Sequence, residues 1–581
     1  MSLLSSDWPL SNTEHGMLVV LGEFLSQQGL INRVMQVPIK QKTCVHAPQA
    51  KLVEWLAGIM SGMEYLCDLN EAPHPIVRDE RVAQAWGQTG FAHYSGVSRT
   101  LEACDAQTVT ELEQAINAFS QPYVAAAIQE LLGRGQPIVY DLDLTGQAVS
   151  ATSTSYPDAA FGWMDDGLKL GYQLARVCLS SPAQGRIWLA GFHHPGDTVS
   201  AACLRELILA AESQTQVRPR RRTELVQQRL EQQAEVVAYW RRLVSQQQAQ
   251  QERWQAQQRK WMGQLYYAEQ VFELDPAAPL VGSGKLAQQR DRLRRVEAQL
   301  AHCQRIQAKH QTRLAEQERR LAELQAWQAQ LQADNQANPD PPPYVEARMD
   351  AGFASGANLT WLLEMGYCPN TKALNARLTA ALRRRLNAET RWVRVGANAE
   401  MTAWGDYLLH GCPFSLTVAL ERFKVHDQFK YATLVHYRDD GRFPTLPQWF
   451  QHYNARQTIE AGNKQLKGTF HVQHLMSRSP AGIRIQVLFT GLAANVVSWC
   501  APWLRACTAN PTLKWLSTLN RPKQLVRVAA NTSALVQHTD ARLAVQFAAN
   551  SPFPGLTLFL KGIPAFQLAL GFNQPYRIES G

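Results

Sequence analysis

One segment, residues 218–338, constrains the fold of this 581-residue chain more than any other. It is dominated by Gln, Arg, Glu, Ala and Leu, and apolar residues recur in it at intervals of seven. One heptad position holds Leu286, Leu293, Leu300, Leu314 and Leu321, and its companion position holds Val296, Leu324 and Leu331. Such a repeat is typical of a coiled coil, so the segment predicts long helices that pack along a narrow apolar seam.

The repeat is interrupted once, by the sequence ELDPAAPLVGSGK at residues 273–285. The interruption leaves two arms of about 50 residues, and a helix of that length reaches roughly 75 Å at 1.5 Å per residue. We therefore expect an antiparallel helical hairpin inserted into a host domain. The proline-rich sequence NPDPPPY at residues 338–344 marks the return to that domain.

The host segments on either side of the hairpin alternate between strand and helix patterns. The sequence QPIVYDLDLTG predicts a strand on which Asp141 and Asp143 share one face. Further along, GRIWLAGF predicts a strand and TVSAACLRELILAAE a helix. After the hairpin, VEARMDAGFASG predicts a short strand followed by Asp350 and a glycine-rich turn. This alternation is typical of an α/β domain.

Helical patterns dominate before the α/β domain. In residues 85–104, a short helix, a glycine-bearing turn and a second helix with Arg99 near its start suit a helix-turn-helix DNA reader. An ordinary helical hairpin with a solvated Arg99 explains the same pattern. Residues 485–504 are apolar and long enough to span a membrane, but polar residues and a proline interrupt them, so we expect a buried core helix.

The charge of the chain indicates which class of partner it binds, and its cysteines indicate the redox state of its cellular compartment. Fifty-eight Lys and Arg against 49 Asp and Glu give a net charge of +9, which favours a polyanionic partner. The ten cysteines form no C-x-x-C pair, which argues against a zinc finger and a disulfide framework and fits a reducing cytosol. The first residues show no basic segment followed by an apolar run, so no signal peptide is expected.

The sequence YNARQTIEAGNKQLK at residues 453–467 predicts a helix whose regular spacing carries polar residues instead of leucines. At about 100° per residue, four of them fall on one narrow stripe. These four are Tyr453, Arg456, Glu460 and Lys467. For this helix taken alone, a solvated face with ion pairs from Glu460 to Arg456 and to Lys464 is the simplest explanation.

Asp143, Asp350 and Glu460 follow one another in the order in which a ribonuclease-H-like fold brings two aspartates and a helix glutamate together. Carboxylates clustered in a partly dry site repel one another, and a pair of Mg²⁺ or Mn²⁺ ions relieves that repulsion. Two such ions about 3.5–4 Å apart activate an attacking water or hydroxyl and stabilise the leaving oxygen in phosphodiester chemistry.

The three acidic residues stand in motifs that resemble those of one protein family. The spacing Y-x2-R-x3-E-x6-K at residues 453–467 resembles the Tyr–Arg–Glu–Lys signature of a large group of bacterial insertion-sequence DDE transposases. The sequence DLT at Asp143 resembles the group's first-aspartate motif, and RMDAGFAS around Asp350 resembles its second. Asn495 in GLAANVV also resembles a position in the closing helix. The coiled-coil insertion departs from the family pattern, so its role cannot be inherited.

The resemblance implies an α/β protein with a ribonuclease-H-like catalytic core and two Mg²⁺ or Mn²⁺ ions per active site, held by Asp143, Asp350 and Glu460. Its partners would be double-stranded DNA, both transposon ends and target, and a second copy of the chain in a homodimeric synaptic complex. It implies a bacterial, cytoplasmic protein associated with the nucleoid. The residues expected to contact DNA are Tyr453, Arg456, Lys467, Lys464 and Arg99.

On this interpretation the chain divides into five kinds of region. They are a helical DNA-binding region (1–135), a catalytic core in three parts (136–217, 339–375 and 441–505), the coiled-coil hairpin (218–338), a β-rich insertion (376–440) and a C-terminal region (506–581). Two assignments stay open on sequence alone. Asp141 competes with Asp143 for the role of first aspartate, and His193 and His194 are expected in a loop or beside the metal site.

Two other functions compete with transposition. A domesticated transposase would keep DNA binding or scaffolding alone, but it has no use for an intact set of acids. A stand-alone nuclease of the same fold would need the acids, but not a long N-terminal region or the stripe of Tyr, Arg and Lys. We therefore expect cut-and-paste chemistry, which means binding of terminal inverted repeats, strand cleavage and strand transfer.

Overall fold

A computed structural model shows two compact units, one formed by residues 220–339 and the other by the segments before and after them. The described residues are 10–42, 45–164, 167–274, 279–342, 344–374, 376–426, 428–437, 443, 445–509, 521–539 and 542–560.

The N-terminal part of the larger unit is helical, as its sequence predicts. One short strand precedes seven helices: β1 (Leu10–Thr13), α1 (Gly16–Gln27), α2 (Leu30–Met35), α3 (Pro48–Met60), α4 (Asp68–Glu71), α5 (Glu80–Ala85), α6 (Tyr94–Ala103) and α7 (Ala106–Gly133). Helices α5 and α6, with Gly87 at φ 72° between them, form the expected pair. Arg99 is exposed on α6, whereas the buried Thr100 beside it donates a hydrogen bond to Gln41 (2.6 Å).

The α/β part begins with four strands and a helix, of which the sequence predicts the first strand, the last strand and the helix. They are β2 (Ile138–Ala148), β3 (Ala160–Met164), β4 (Gly167–Ser181), β5 (Gly185–Pro195) and α8 (Ser200–Thr215). Strand β2 is buried on both faces from Ile138 to Asp143. On one face, the buried Tyr140 hydroxyl is 2.7 Å from Thr215 of α8. The aspartates on this strand therefore lie inside the protein.

The second unit is an antiparallel hairpin of two long helices, α9 (Thr223–Leu274) and α10 (Pro279–Ala337). Contacts run from Asn335 with Arg221 near one end to Arg290 with Glu269 near the other. The heptad positions Val296, Leu300 and Leu331 are buried within this unit. Helix α10 begins inside the predicted interruption, part of which (residues 275–278) lies outside the described residues.

After the hairpin, strands dominate and extend the same sheet. The elements are β6 (Val345–Arg348), α11 (Gly356–Glu364), β7 (Cys368–Lys372), α12 (Ala376–Arg384), β8 (Val393–Arg394), β9 (Ala399–Leu408), β10 (Ser415–Val425) and β11 (Gln428–Tyr437). Among the described residues the sheet has the order β3-β4-β2-β6-β7-β11-β10-β9-β8, with β5 also paired to β4. In the described part of the chain, β2–β6 and β6–β7 are parallel and the other pairs antiparallel, so the sheet is mixed.

The chain closes with helices α13 (Leu446–Asn454), α14 (Gln457–Thr469) and α15 (Pro480–Cys507), and strands β12 (Ala534–Thr539), β13 (Arg542–Phe547) and β14 (Thr557–Leu560). Strand β1 pairs with β12, so both ends of the described chain share a four-stranded sheet. Helix α15 is the one described helix apolar and long enough to cross a membrane, but 78% of its most apolar window is buried inside the protein. It is thus the expected core helix.

A buried ion cluster joins the strands at the centre of this sheet. Asp141 of β2 lies directly across from Arg348 of β6 and accepts two hydrogen bonds from it, at 2.6 and 2.9 Å. Arg186 of β5 contacts the same carboxylate. The carboxylate is fully buried and Arg348 is 2% exposed, so little water competes for these contacts.

Removing Asp141 would leave two guanidinium groups without their shared partner. Loss of one member of a buried ion pair costs about 3–5 kcal/mol, so we expect Asp141→Ala to lower the free energy of unfolding by that amount. Chemical denaturation measures the change. Lys40→Ala is the matched control, because it breaks a pair whose lysine is 77% exposed and should cost less than about 1 kcal/mol. Equal effects of the two substitutions would contradict the assigned role of Asp141.

Candidate active site

Strand pairing places Asp143 between the sheet and helix α14. Asp143 lies across from Arg176 of β4, whose guanidinium is 3.8 Å from its carboxylate. Arg176 also donates to the carbonyl of Ile459 in α14 (2.8 Å). From the same helix, the Asn463 amide donates to Asp143. The first aspartate therefore faces the helix that carries Glu460.

Asp141 and Asp143 have different surroundings although they share a strand face. Arg348 and Arg186 occupy both oxygens of Asp141. Asp143 has looser contacts with arginines, at 3.8 and 3.9 Å, and its side chain is 8% exposed. The oxygens of Asp141 are thus used in structural ion pairs, whereas those of Asp143 are more accessible to a ligand.

Asp350 follows β6 and begins a single 3₁₀ turn, Ala351–Phe353, as the motif predicts. One of its oxygens accepts a hydrogen bond from the Gly352 amide (2.9 Å). A Cβ at Gly352 would lie 2.7 Å from the Ser200 hydroxyl, which explains the glycine. Burial raises the pKa of Asp350, and repulsion by Asp143 raises it further, whereas Arg456 opposes the rise.

Arg456 links all three predicted metal ligands. Its guanidinium is 3.2 Å from Glu460 and 3.9 Å from Asp143, and it interacts electrostatically with Asp350. Asp350, Arg456 and Glu460 also line one pocket. The i,i+4 ion pair expected for a solvated helix is therefore present, but its arginine reaches inward while Glu460 is 58% exposed.

The prediction of a single helix over residues 453–467 is wrong. Helix α13 ends at Asn454 and α14 begins at Gln457, so Tyr453 and Glu460 lie on different helices. Tyr453 is 3% exposed and packs in an apolar cluster with Trp449 and Met401. Tyr453 therefore does not lie on the stripe predicted for a single helix.

Tyr453 still borders the pocket. Its hydroxyl donates to the Met349 carbonyl (3.4 Å) and interacts electrostatically with Arg456, and the Lys372 ammonium lies 5.7 Å from its ring centroid. Burial raises the pKa of Tyr453 to about 12, so the hydroxyl stays protonated at neutral pH. In this position Tyr453 supports Arg456.

The other basic residues predicted to bind DNA are more accessible. Lys464 is exposed and Lys467 half-buried on α14, and Arg99 is exposed on α6. His193 and His194 lie in β5, so their placement in a loop is wrong. His193 contacts Gln147, and His194 contacts Glu206 of α8.

Three residues of this site were missed in the sequence. Arg176 and Arg186 reach it through strand pairing, for which no local signal exists. Asn463 could have been found, because it is three residues after Glu460 and therefore lies on the same helix face.

The available donors suit a hard divalent cation. They are carboxylate oxygens together with Oδ1 of Asn463, a buried atom without a hydrogen-bond partner among the described residues. Mg²⁺ and Mn²⁺ prefer oxygen ligands of this kind. The chain matches none of the protein-family models compared with it, and no curated protein matches it either.

The electrostatic coupling in the site can be measured through Asp350. Asp143→Asn removes a nearby negative charge, so we expect the pKa of Asp350 to fall. Arg456→Gln removes the opposing positive charge, so we expect that pKa to rise. Carboxyl ¹³C shifts of aspartate-labelled protein report both changes, and Asp350→Asn assigns the signal. The exposed Glu389→Gln is the control, and an unchanged midpoint in Asp143→Asn would contradict the coupling.

Proposed function

We propose that the protein is a DDE transposase that cuts and joins DNA at the ends of a mobile element. The observation that carries the proposal is the convergence of Asp143, Asp350 and Glu460, from three distant chain segments, around the guanidinium of Arg456. Each acid belongs to a motif that resembles the corresponding motif of the transposase group. Asp350 and Glu460 line one pocket with Arg456, and Arg456 also lies 3.9 Å from Asp143.

The sheet supports a ribonuclease-H-like core. Asp143 lies on the central strand β2, which has antiparallel β4 and then β5 on one side. On the other side come parallel β6, after which Asp350 follows, and parallel β7. Parallel neighbours end at the same edge, so the second aspartate emerges close to the first. Helix α14 then adds Glu460.

Asp143, Asp350 and Glu460 would hold the divalent cations, with Asn463 close enough to contribute an oxygen. Bound there, such cations supply an activated water or hydroxyl nucleophile and stabilise the leaving oxygen of a phosphodiester. In their absence Arg456 neutralises the carboxylates. Because a guanidinium fits phosphate as well as carboxylate, Arg456 is placed to exchange these partners for the DNA backbone.

Other residues would position the DNA. Lys464 and Lys467 on α14 offer point charges for phosphates, and the exposed Arg99 on α6 suits a contact with transposon-end DNA. Tyr453 is buried beside Arg456, so we assign it to supporting Arg456 from the apolar side. This differs from direct phosphate binding by the tyrosine, which the family resemblance implies.

Transposition requires two active sites on two DNA ends, and therefore a homodimer or larger complex. The hairpin is a candidate for dimerisation. Its described heptad residues pack α10 against α9 within one chain, so a second copy would use other faces. Helix α9 exposes several large apolar side chains that could serve this purpose: Tyr239, Met262, Tyr266, Tyr267 and Val271.

The central prediction is that substitution of the acids prevents DNA cleavage without weakening DNA binding. We expect Asp143→Asn, Asp350→Asn and Glu460→Gln each to reduce Mg²⁺-dependent cleavage of end DNA by at least about 10³-fold, since several kcal/mol of charge stabilisation is lost. Affinity for the same DNA should change little. Cleavage and strand-joining assays with gel-shift measurements test both quantities, on end DNA taken from the element that encodes the protein.

Glu389→Gln, an exposed acid in a turn, is the control and should cleave normally. Wild-type cleavage by Glu460→Gln would refute the assignment of the third acid. DNA binding with no cleavage by the wild-type chain would favour a domesticated binder. Cleavage with no joining and no requirement for paired ends would favour a stand-alone nuclease.

The hairpin's role is tested by deleting residues 218–338. We expect the shortened protein to lose dimers and paired-end complexes, because the proposed contact between copies is removed. Analytical ultracentrifugation and end-pairing assays measure these changes, and binding of a single end shows that the remaining unit is intact. Unchanged oligomeric state and end pairing would refute a dimerisation role.

A further inference from the structure

Three side chains converge at a second place in the larger unit. Glu64, His471 and His474 each offer a donor atom, and these atoms all lie within 4.8 Å of one another. Nδ1 of His474 is 3.0 Å from one carboxylate oxygen of Glu64, and Nδ1 of His471 is 4.0 Å from the other. None of the three belongs to the proposed active site.

Two separate segments supply these residues, and both are held in place. Glu64 lies in the turn after α3, where Asp68 accepts hydrogen bonds from the amides of residues 64 and 65, at 2.9 and 2.8 Å. The histidines lie in the loop after α14. Gln147 donates to the carbonyl of Val472 (2.6 Å), and the buried Gln486 donates to that of His474 (2.7 Å). The donors are therefore preorganised.

The histidines have features that their present contacts do not explain. His471 has φ 49°, a left-handed conformation uncommon for a residue other than glycine and often associated with function. Nε2 of His471 and Nδ1 of His474 are buried, and neither has a hydrogen-bond partner within the described ranges. Nδ1 of His474 is close to Glu64 without meeting hydrogen-bond geometry, as expected for ligands aimed at a common centre.

The donor set and spacing identify the ligand class. Two imidazoles and one carboxylate form one of the three-ligand sets used by Zn²⁺, whose bonds are about 2.0–2.2 Å. Tetrahedral geometry with such bonds places ligand atoms about 3.3 Å apart, and Nδ1 of His474 lies 3.0 Å from one oxygen of Glu64, close to that value. We propose that Glu64, His471 and His474 bind a Zn²⁺ ion.

Donor availability and solvent access are compatible with this ion. His471 is largely buried and its Nε2 has no hydrogen-bond partner among the described residues, so this nitrogen is available to a ligand. Glu64 and His471 also line an open cavity with Asp68. A water in that cavity can complete the tetrahedral coordination.

A second cluster, His194, Cys203 and Glu206, also contains metal-binding types. We prefer the first cluster because its two imidazoles and one carboxylate match a three-ligand set that Zn²⁺ uses, whereas the second cluster offers a single imidazole. The side chains of His194 and Glu206 are partly exposed and in contact with each other. The second cluster serves instead as a control for where the metal binds.

The proposed ion has a structural consequence that does not depend on transposition. Glu64 belongs to the helical N-terminal part, and His471 follows the C-terminal end of α14, which lies at Thr469. A bound Zn²⁺ would join the two parts. It would thereby fix the helix that carries Glu460 relative to α3.

The test uses the full-length protein, dialysed free of metal and then titrated with ZnCl₂ in excess Mg²⁺. We expect one Zn²⁺ per chain by elemental analysis, and visible absorption typical of tetrahedral coordination when Co²⁺ replaces it. His474→Ala should weaken zinc binding at least about 100-fold, more than the loss of an outer partner. His474→Cys should retain binding, because thiolate is also a zinc ligand. Asp68→Asn, an outer partner, should weaken it roughly 10-fold.

Zinc should also raise the melting temperature of the wild type and not that of His474→Ala, which separates lost binding from failed folding. Cys203→Ser and Asp143→Asn should bind zinc like the wild type. The proposal is overturned if the wild type binds no zinc at micromolar concentrations, or if His474→Ala binds it normally. It is equally overturned if Cys203→Ser or Asp143→Asn abolishes the stoichiometric zinc.

Discussion

The contact of Asp141 with Arg348 and Arg186 is the interaction on which the rest of the site depends. Besides joining three strands, both arginines contact the chain near the C-terminal end of α13. Arg348 donates to the His452 carbonyl (2.6 Å), and Arg186 donates to the Ala455 carbonyl (3.0 Å). The position of Arg456, and of the helix start that follows it, is thus set by a charge cluster buried in the sheet. Asp141 therefore has a structural role, although it shares a strand face with Asp143.

The proposed active site combines burial with charge repulsion. Asp350 has a raised pKa because burial and the neighbouring Asp143 both oppose its ionisation. Arg456 offsets this repulsion in the structure, and Tyr453 holds Arg456 from the apolar side. Clustered carboxylates in a buried site favour a nearby positive charge, and Arg456 supplies it in the structure.

The hairpin is a compact unit of its own, whereas the β-rich insertion is part of the central sheet. The hairpin is a compact unit with its own seam, formed by heptad residues of α10 and by α9. The β-rich insertion instead continues the central sheet, because β11 pairs with β7. The insertion thereby packs Trp449 and Tyr453 against its own strands, which couples it to the loop that positions Arg456.

The sequence by itself determined the hairpin, the strand that carries Asp143, the strand that precedes Asp350, the buried helix α15 and the choice of candidate acids, because heptads, alternation and local motifs are written in consecutive residues. Only the tertiary structure decided that residues 453–467 are two helices, that Tyr453 is buried, and that Asn463, Arg176 and Arg186 surround the acids. These outcomes depend on pairing between segments far apart in the chain. Local periodicity carries no information about which distant guanidinium will neutralise a carboxylate, since burial and strand register choose the partner.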